Sequence, residues 1–211
     1  MGSSRRDRKR RPARKKPFRK PKPLILIVCE GTVTEPQYLR GFTKHWKNPR
    51  VTIKIAPEQG TPRTLVEIAK KYKKASETAA TKEGDENIAY DAVWCVFDVD
   101  EHPYVPDAVQ MARDNHIKLA ISNPCFELWL LVHHRDSPGS KRRDQVSSLL
   151  KEFVEDYDKG VDFGKDYAAG YKDAVRRSRG MHNIASNLGK GHHEHNPSTG
   201  VYVLTESIRE E

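Results

Sequence analysis

Three carboxylates stand where an α/β protein places its chemistry. Glu30 follows the apolar run Leu24–Cys29, and Asp98 and Asp100 follow the run Ala92–Phe97. Both runs are continuous and rich in β-branched and aromatic residues, the pattern of strands buried on both faces of a parallel sheet. Ligands of such sheets bind at the carboxyl ends of the strands. Residues two apart in an extended chain point to the same side, so Asp98 and Asp100 can face one ligand together. Carboxylates crowded into a partly dry site repel one another. A hard divalent cation, Mg2+ or Mn2+, relieves that repulsion through oxygen ligands. Turn chemistry is the competing reading, because Asp is common after strands. The D-x-D spacing is weakly specific, and the matching position of Glu30 is what favours a cation.

A second cluster, Asn123-Pro124-Cys125-Phe126-Glu127, follows another strand-like run. Glu127 falls in the first turn of the next helix, where it either serves the site or satisfies the helix dipole. Ser122 and Asn123 either contact a phosphate or cap the helix. Thr32-Val33-Thr34-Glu35 fits a capping box, which is sufficient to explain Glu35. His102 lies close enough to the D-x-D to act as a general acid, or is a loop residue. His192, His193, Glu194 and His195 match no usual zinc spacing, and contact with phosphate or base is the better role for them. His133 and His134 end an apolar helix and favour its dipole.

The elements that must position these groups alternate. Strands are expected at Leu24–Cys29, Val51–Ile55, Ala92–Phe97 and Lys118–Ser122. Helices are expected from the capping box to about Trp46, from Thr61-Pro62 to near Ala80, around Pro106–Asn115, and from Cys125 to about His134. This β-α order implies a mostly parallel four-stranded sheet with helices on both faces. Beyond residue 140 the texture becomes helical, with amphipathic stretches at Asp144–Tyr157 and about Lys165–Leu188, and a last short one within Ser198–Arg209. The organisation expected is a basic tail (1–23), an α/β domain (24–135) and a helical extension packed on it (136–211).

Charge separates tail from body. Of the 38 basic and 29 acidic residues, the first 23 positions hold 12 basic and one acidic, so they carry +11 and the rest carries −2. Interrupted by Pro12, Pro17, Pro21 and Pro23, the tail reads as disordered. Arg8, Arg10, Arg11, Lys15 and Lys16 are its candidate phosphate contacts, giving sequence-independent, salt-sensitive affinity for nucleic acid. In the body, Arg176 and Arg177, with Arg179 nearby, are candidates to track a nucleic-acid backbone; Lys141, Arg142 and Arg143 form a similar cluster. Each cluster is equally well an ordinary solvated face. The three cysteines are isolated, which disfavours a disulfide framework and fits a reducing cytoplasm. No apolar run approaches the ~18 residues a membrane span needs. There is no Walker A motif, so nucleotide hydrolysis on a P-loop is not expected.

Four blocks taken together resemble a known family. They are Ile27-Val28-Cys29-Glu30-Gly31-Thr32 with Thr34-Glu35-Pro36-x-Tyr38; Val96-Phe97-Asp98-x-Asp100-Glu101-His102; Ser122-Asn123-Pro124-Cys125-Phe126-Glu127-Leu128-Trp129; and Asn196-Pro197-Ser198-Thr199. In this order they are similar to the RloB family, over about residues 24–208. That family is regarded as Toprim-like and occurs beside restriction and anti-phage loci. The resemblance implies a Toprim-like fold in which Glu30 ligates metal or moves a proton and Asp98 and Asp100 hold Mg2+. Glu127 is the candidate to complete a second metal site, and His102 to act beside them. The implied activity is phosphodiester hydrolysis of DNA or RNA, transfer RNA included. No Tyr is placed as a topoisomerase nucleophile. A non-catalytic nucleic-acid-binding or signalling subunit is the alternative. A dehalogenase-type phosphatase is disfavoured, because Glu101-His102 stands where that motif continues Gly-Thr. An ATPase or another protein of the same locus is the partner such a nuclease would have, and a homo-oligomer is compatible with the sequence.

Overall fold

The computed structural model describes residues 22–55, 61–99, 105–155 and 157–209. Asp100, His102 and the tail positions Arg8, Arg10, Arg11, Lys15 and Lys16 lie outside the described residues.

Strand β1 (Ile25–Cys29) is buried along its whole length. It pairs in parallel with β2 (Val51–Ile55) on one side and with β3 (Ala92–Asp98) on the other. β3 pairs in parallel with β4 (Lys118–Asn123), and β4 pairs antiparallel with β5 (Ser198–Thr199). The sheet therefore has five strands in the order β2-β1-β3-β4-β5, not the four expected. The additional strand is two residues long, too short to leave a periodic signature in the sequence.

Alternation divides the apolar residues of the strands between two cores. Leu26, Val28, Val93, Cys95 and Phe97 face Leu65, Val66 and Ala69 of α2 (Pro62–Glu83) and Ala108 and Ala112 of α3 (Val105–Asp114). Ile25, Ile27, Cys29, Trp94 and Val96 face the opposite way. Their core includes Tyr38, Leu39 and Phe42 of α1 (Thr34–His45), the short α4 (Glu127–Leu131), and residues of α5 (Arg143–Lys151), α6 (Tyr171–Asn187) and α7 (Val201–Arg209). Residues beyond 136 thus share one core with the central strand.

Local chemistry sets the helix limits. Thr61 accepts the backbone N–H of Thr64 at 3.3 Å and Pro62 opens α2, as its sequence predicts. α2 runs to Glu83, three residues beyond the expected fade at Ala80, and Gly84 ends it in the left-handed conformation at φ 65°. The capping box at Thr32–Glu35 does not form. α1 begins at Thr34, Val33 precedes it, and no side chain caps it. Three other helices are shorter than expected: α4 covers only Glu127–Leu131, α5 ends at Lys151, and α6 starts at Tyr171. A π-helical turn, Phe163–Tyr167, precedes α6 and packs Phe163 against Tyr38 and Phe42.

Candidate active site

The chain moves from β1 outward to β2 and then back across to β3, so the connections leaving β1 and β3 diverge. Divergence of this kind opens a crevice at the carboxyl ends of those two strands. Glu30 leaves β1 there and Asp98 ends β3. The backbone N–H of Asp98 donates to Glu30 Oε2 at 3.3 Å, which ties the two strand ends together.

A cavity of about 330 Å3 opens at this crevice, lined by Glu30, Glu35, Asp98, Glu127, Arg143 and Lys159 among others. Four acids and two bases thus meet in one place. Asp98, Glu35 and Glu127 are buried, exposing only 6%, 7% and 4% of their surface. Glu35 reaches the cavity because α1 starts later than the capping box requires. Its carboxylate passes over Gly31, where any side chain would collide with it. Glu127 opens α4, and its Oε1 accepts the hydroxyl of Tyr157 at 3.1 Å. Thr34 donates to the carbonyl of Lys159 at 3.0 Å and so holds the Lys159 backbone at the cavity wall.

The electrostatics follow from burial. Desolvation raises the Asp98 carboxyl well above the usual carboxylate range; Glu35 adds to the rise, Arg143 opposes it, and Glu127 and Glu30 add further. Glu35 is raised as well, by burial first, with Glu127 and Glu30 contributing and Arg143 opposing. Arg143 Nη2 lies 3.1 Å from Asp98 Oδ2. The guanidinium places positive charge against the Asp98 carboxylate. Among the described residues, no three His, Cys, Asp or Glu side chains are arranged as a ready-made metal centre. The donor chemistry nevertheless suits a hard divalent cation: the pocket is lined by carboxylate oxygens whose mutual repulsion Arg143 opposes.

The structure thus brings Glu30, Asp98 and Glu127 together and adds Glu35, Arg143, Lys159 and Tyr157, which sequence reasoning gave to other roles or passed over. It places Arg176 and Arg177 elsewhere. Arg177 donates to Asp136 at 2.7 Å and to the carbonyl of Val132 at 2.9 Å, which braces the end of α4, and only 15% of its side chain is exposed. Arg176 pairs with Asp173 at 3.2 Å, one turn away on α6. Arg179 pairs with Glu206 at 2.8 Å. Arg142 turns to Asp144 on the surface, whereas its neighbour Arg143 turns inward.

The histidines separate too. His192 Nδ1 lies 2.6 Å from Ser198 Oγ and its Nε2 lies 2.8 Å from His182 Nδ1. His195 Nδ1 donates to the carbonyl of Pro197 at 3.1 Å. These bonds secure β5 against the sheet beside Asn123, whose amide donates to the carbonyl of His193 at 3.3 Å. Ser122 Oγ lies 3.0 Å from Thr199 Oγ1, a further cross-strand tie. A larger groove of about 720 Å3 runs between α2 and the turn before β4, with Lys70, Lys71, Lys73 and Lys74 along it. It lies toward the amino ends of the strands, and its three acids, Glu67, Glu77 and Asp114, stand among four lysines, so the smaller cavity at the carboxyl ends is the candidate site.

Comparison with known proteins agrees with the motif blocks. No curated protein and no solved structure matches the chain significantly. A family model described as RloB-like protein matches residues 25–208, a span that includes all five strands and every described residue of the cavity. The chain belongs to the RloB-like family.

Proposed function

We propose that the protein is a Mg2+-dependent nuclease with a Toprim-like core. It would hydrolyse phosphodiester bonds of DNA or RNA, transfer RNA among them, in bacterial anti-phage or abortive-infection defence within the cytoplasm. The observation that carries the reading is the convergence of Glu30, Glu35, Asp98 and Glu127 in one cavity at the carboxyl ends of β1 and β3. Family membership and the D-x-D spacing support it. Among the described residues no helix is long and apolar enough to cross a membrane.

Glu30 and Asp98 would hold the cation, together with Asp100. When bound, the cation would stabilise charge developing on the phosphate and help form the nucleophile. The chain's own residues have separate tasks. Tyr157 fixes the carboxylate of Glu127 through its hydroxyl. Arg143 places positive charge at the cavity for a phosphate oxygen, and Lys159 lines the same cavity. The basic tail, with Arg8, Arg10, Arg11, Lys15 and Lys16, would add salt-dependent grip on the backbone. A locus partner such as an ATPase, and self-association, would control activity.

The test is cleavage of labelled plasmid, single-stranded DNA and total transfer RNA by the purified chain in Mg2+, Mn2+ or chelator, beside Asp98→Ala. Metal-dependent cleavage lost in the variant is the expected result. One observation favours the alternative, a non-catalytic nucleic-acid-binding or signalling subunit: Asp98 is already paired with Arg143. Binding of nucleic acid with no cleavage in any metal would select that alternative.

A further inference from the structure

We infer that Arg143 is an exchangeable counter-ion of the carboxylate cavity: its guanidinium pairs with Asp98, competes there with a divalent cation, and turns outward to meet a phosphate when a cation binds. The inference rests on the reading of the cavity as a cation site. Its grounds are geometric. Arg143 Nη2 and Asp98 Oδ2 are 3.1 Å apart, within direct ion-pair contact. The two partners are unequally covered, because the Asp98 side chain is 9% exposed and that of Arg143 is 44% exposed. The guanidinium therefore enters from the open side of the cavity, and its way out is through solvent. Its backbone is the first residue of α5, where Gln145 Oε1 accepts the N–H of Arg142 at 3.0 Å and anchors the helix start.

Two positive charges in contact with one carboxylate repel each other. A cation ligated by Asp98 and the Arg143 guanidinium consequently compete. Their coupling is reciprocal, so whatever the guanidinium costs the cation in affinity, the cation costs the guanidinium. The planar fork of arginine fits a phosphate as well as it fits a carboxylate. Lys159 lines the same cavity, so a phosphate arriving there meets the displaced guanidinium at a basic rim. The arrangement links cation binding to substrate binding: a cation on Asp98 releases the arginine to the backbone of a nucleic acid.

The measurement is Mn2+ binding to the full chain, followed calorimetrically and by the electron paramagnetic resonance of free Mn2+, for wild type, Arg143→Met and Arg143→Lys. Arg143→Met should bind Mn2+ about tenfold more tightly than wild type, within the usual range of site coupling, with Arg143→Lys closer to wild type. Equal or weaker binding by Arg143→Met would overturn the inference while leaving the cation site intact. Binding by none of the three would overturn the cation reading itself, and the inference with it. Should Arg143→Met fail to fold, the Arg Nε–Hε resonance of Arg143 in wild type decides. It must shift when Mg2+ is added; an unmoved resonance in a protein that binds Mg2+ would overturn the exchange.

Discussion

The carboxylate of Glu35 occupies the space that a side chain at Gly31 would need. The two residues sit on either side of the turn from β1 into α1, and the absence of a Cβ at Gly31 is what lets Glu35 lie across the cavity. Gly31→Ala should therefore push Glu35 out of place with little effect on the core. A misplacement of this size costs on the order of 100-fold in a positioned reaction. The expected outcome is a loss of cleavage of that order with a melting temperature lowered by only a few degrees. Adding Gly31→Ala to Glu35→Ala should cost much less activity than Gly31→Ala costs alone, because the collision is then gone.

Tyr157 has the hydroxyl that Glu127 Oε1 accepts in a buried setting. Burial, with the charge of Glu127 adding to it, raises the Tyr157 phenol, so it remains a donor throughout the physiological range. Tyr157→Phe deletes the donor and keeps the ring. A buried acceptor left without its donor costs about 1–3 kcal/mol. Urea denaturation should show a loss in that range, relieved in Tyr157→Phe/Glu127→Gln, where no buried charge is left to satisfy. Both variants should cleave less than wild type.

His133 predicts the acid sensitivity of the fold. Its Nδ1 lies 2.8 Å from the carbonyl of Trp129 and must carry a proton there, which leaves Nε2 as acceptor for the Tyr38 hydroxyl at 3.1 Å. Burial lowers its pKa to about 3, so the folded protein keeps it neutral while the unfolded chain protonates near the ordinary histidine value. Between about pH 6 and pH 4 the unfolded state binds the extra proton. Stability must then fall as pH falls, by up to about 1.4 kcal/mol per pH unit from this group. The raised carboxyls of Asp98 and Glu35 act in the opposite sense, since their protonation favours the folded state. Comparing wild type with His133→Gln cancels the carboxyl effect. The variant's stability should decline less steeply between pH 6 and 4, and an unchanged slope would refute the assignment.

Gly170 lies where α6 begins, against the carbonyl of His133. A methyl group there would overlap that backbone carbonyl, which cannot swing aside as a side chain can. Gly170→Ala should destabilise by about 1–3 kcal/mol, the usual cost of overpacking. Gly180, in the same helix, has open space around it, and Gly180→Ala should instead be neutral or stabilising. Thermal melts of the two variants side by side measure the difference.

Much of this fold can be read in the chain because its strongest signals are local. The continuous apolar runs of β1 and β3 announce buried parallel strands, and the positions of Glu30 and Asp98 follow from where those runs stop. What escaped depends on contacts between distant residues. Arg143 looks like one of three consecutive basic residues, and nothing in its neighbourhood tells it apart from Arg142; its partner is 45 positions earlier. Tyr157 meets Glu127 across 30 positions. Thr32 and Glu35 have the spacing of a capping box, but the helix begins at Thr34 and leaves the carboxylate to the cavity. Gly31 four residues before it, just past a strand, was the available hint. Arg177 is a further case: its charge fits a nucleic-acid contact or a solvated face, and its bonds to Asp136 and the Val132 carbonyl also brace the end of α4.

The shared core of the central strand and the distal helices has a consequence for how damage spreads. Val146, Tyr171, Met181 and Leu204 pack in the same cluster as Ile27 and Val96, and β5 is hydrogen-bonded beside the strand that follows Asp98 in the sheet. The cavity thus has no separate foundation. Loosening α6 or α7 should increase hydrogen exchange at the amides of β1 and β3 together with those of the helices themselves, as one cooperative unit. Inactivity caused by a lesion far out on α6 would then report on the footing of the carboxylates, and would say nothing about where a substrate touches.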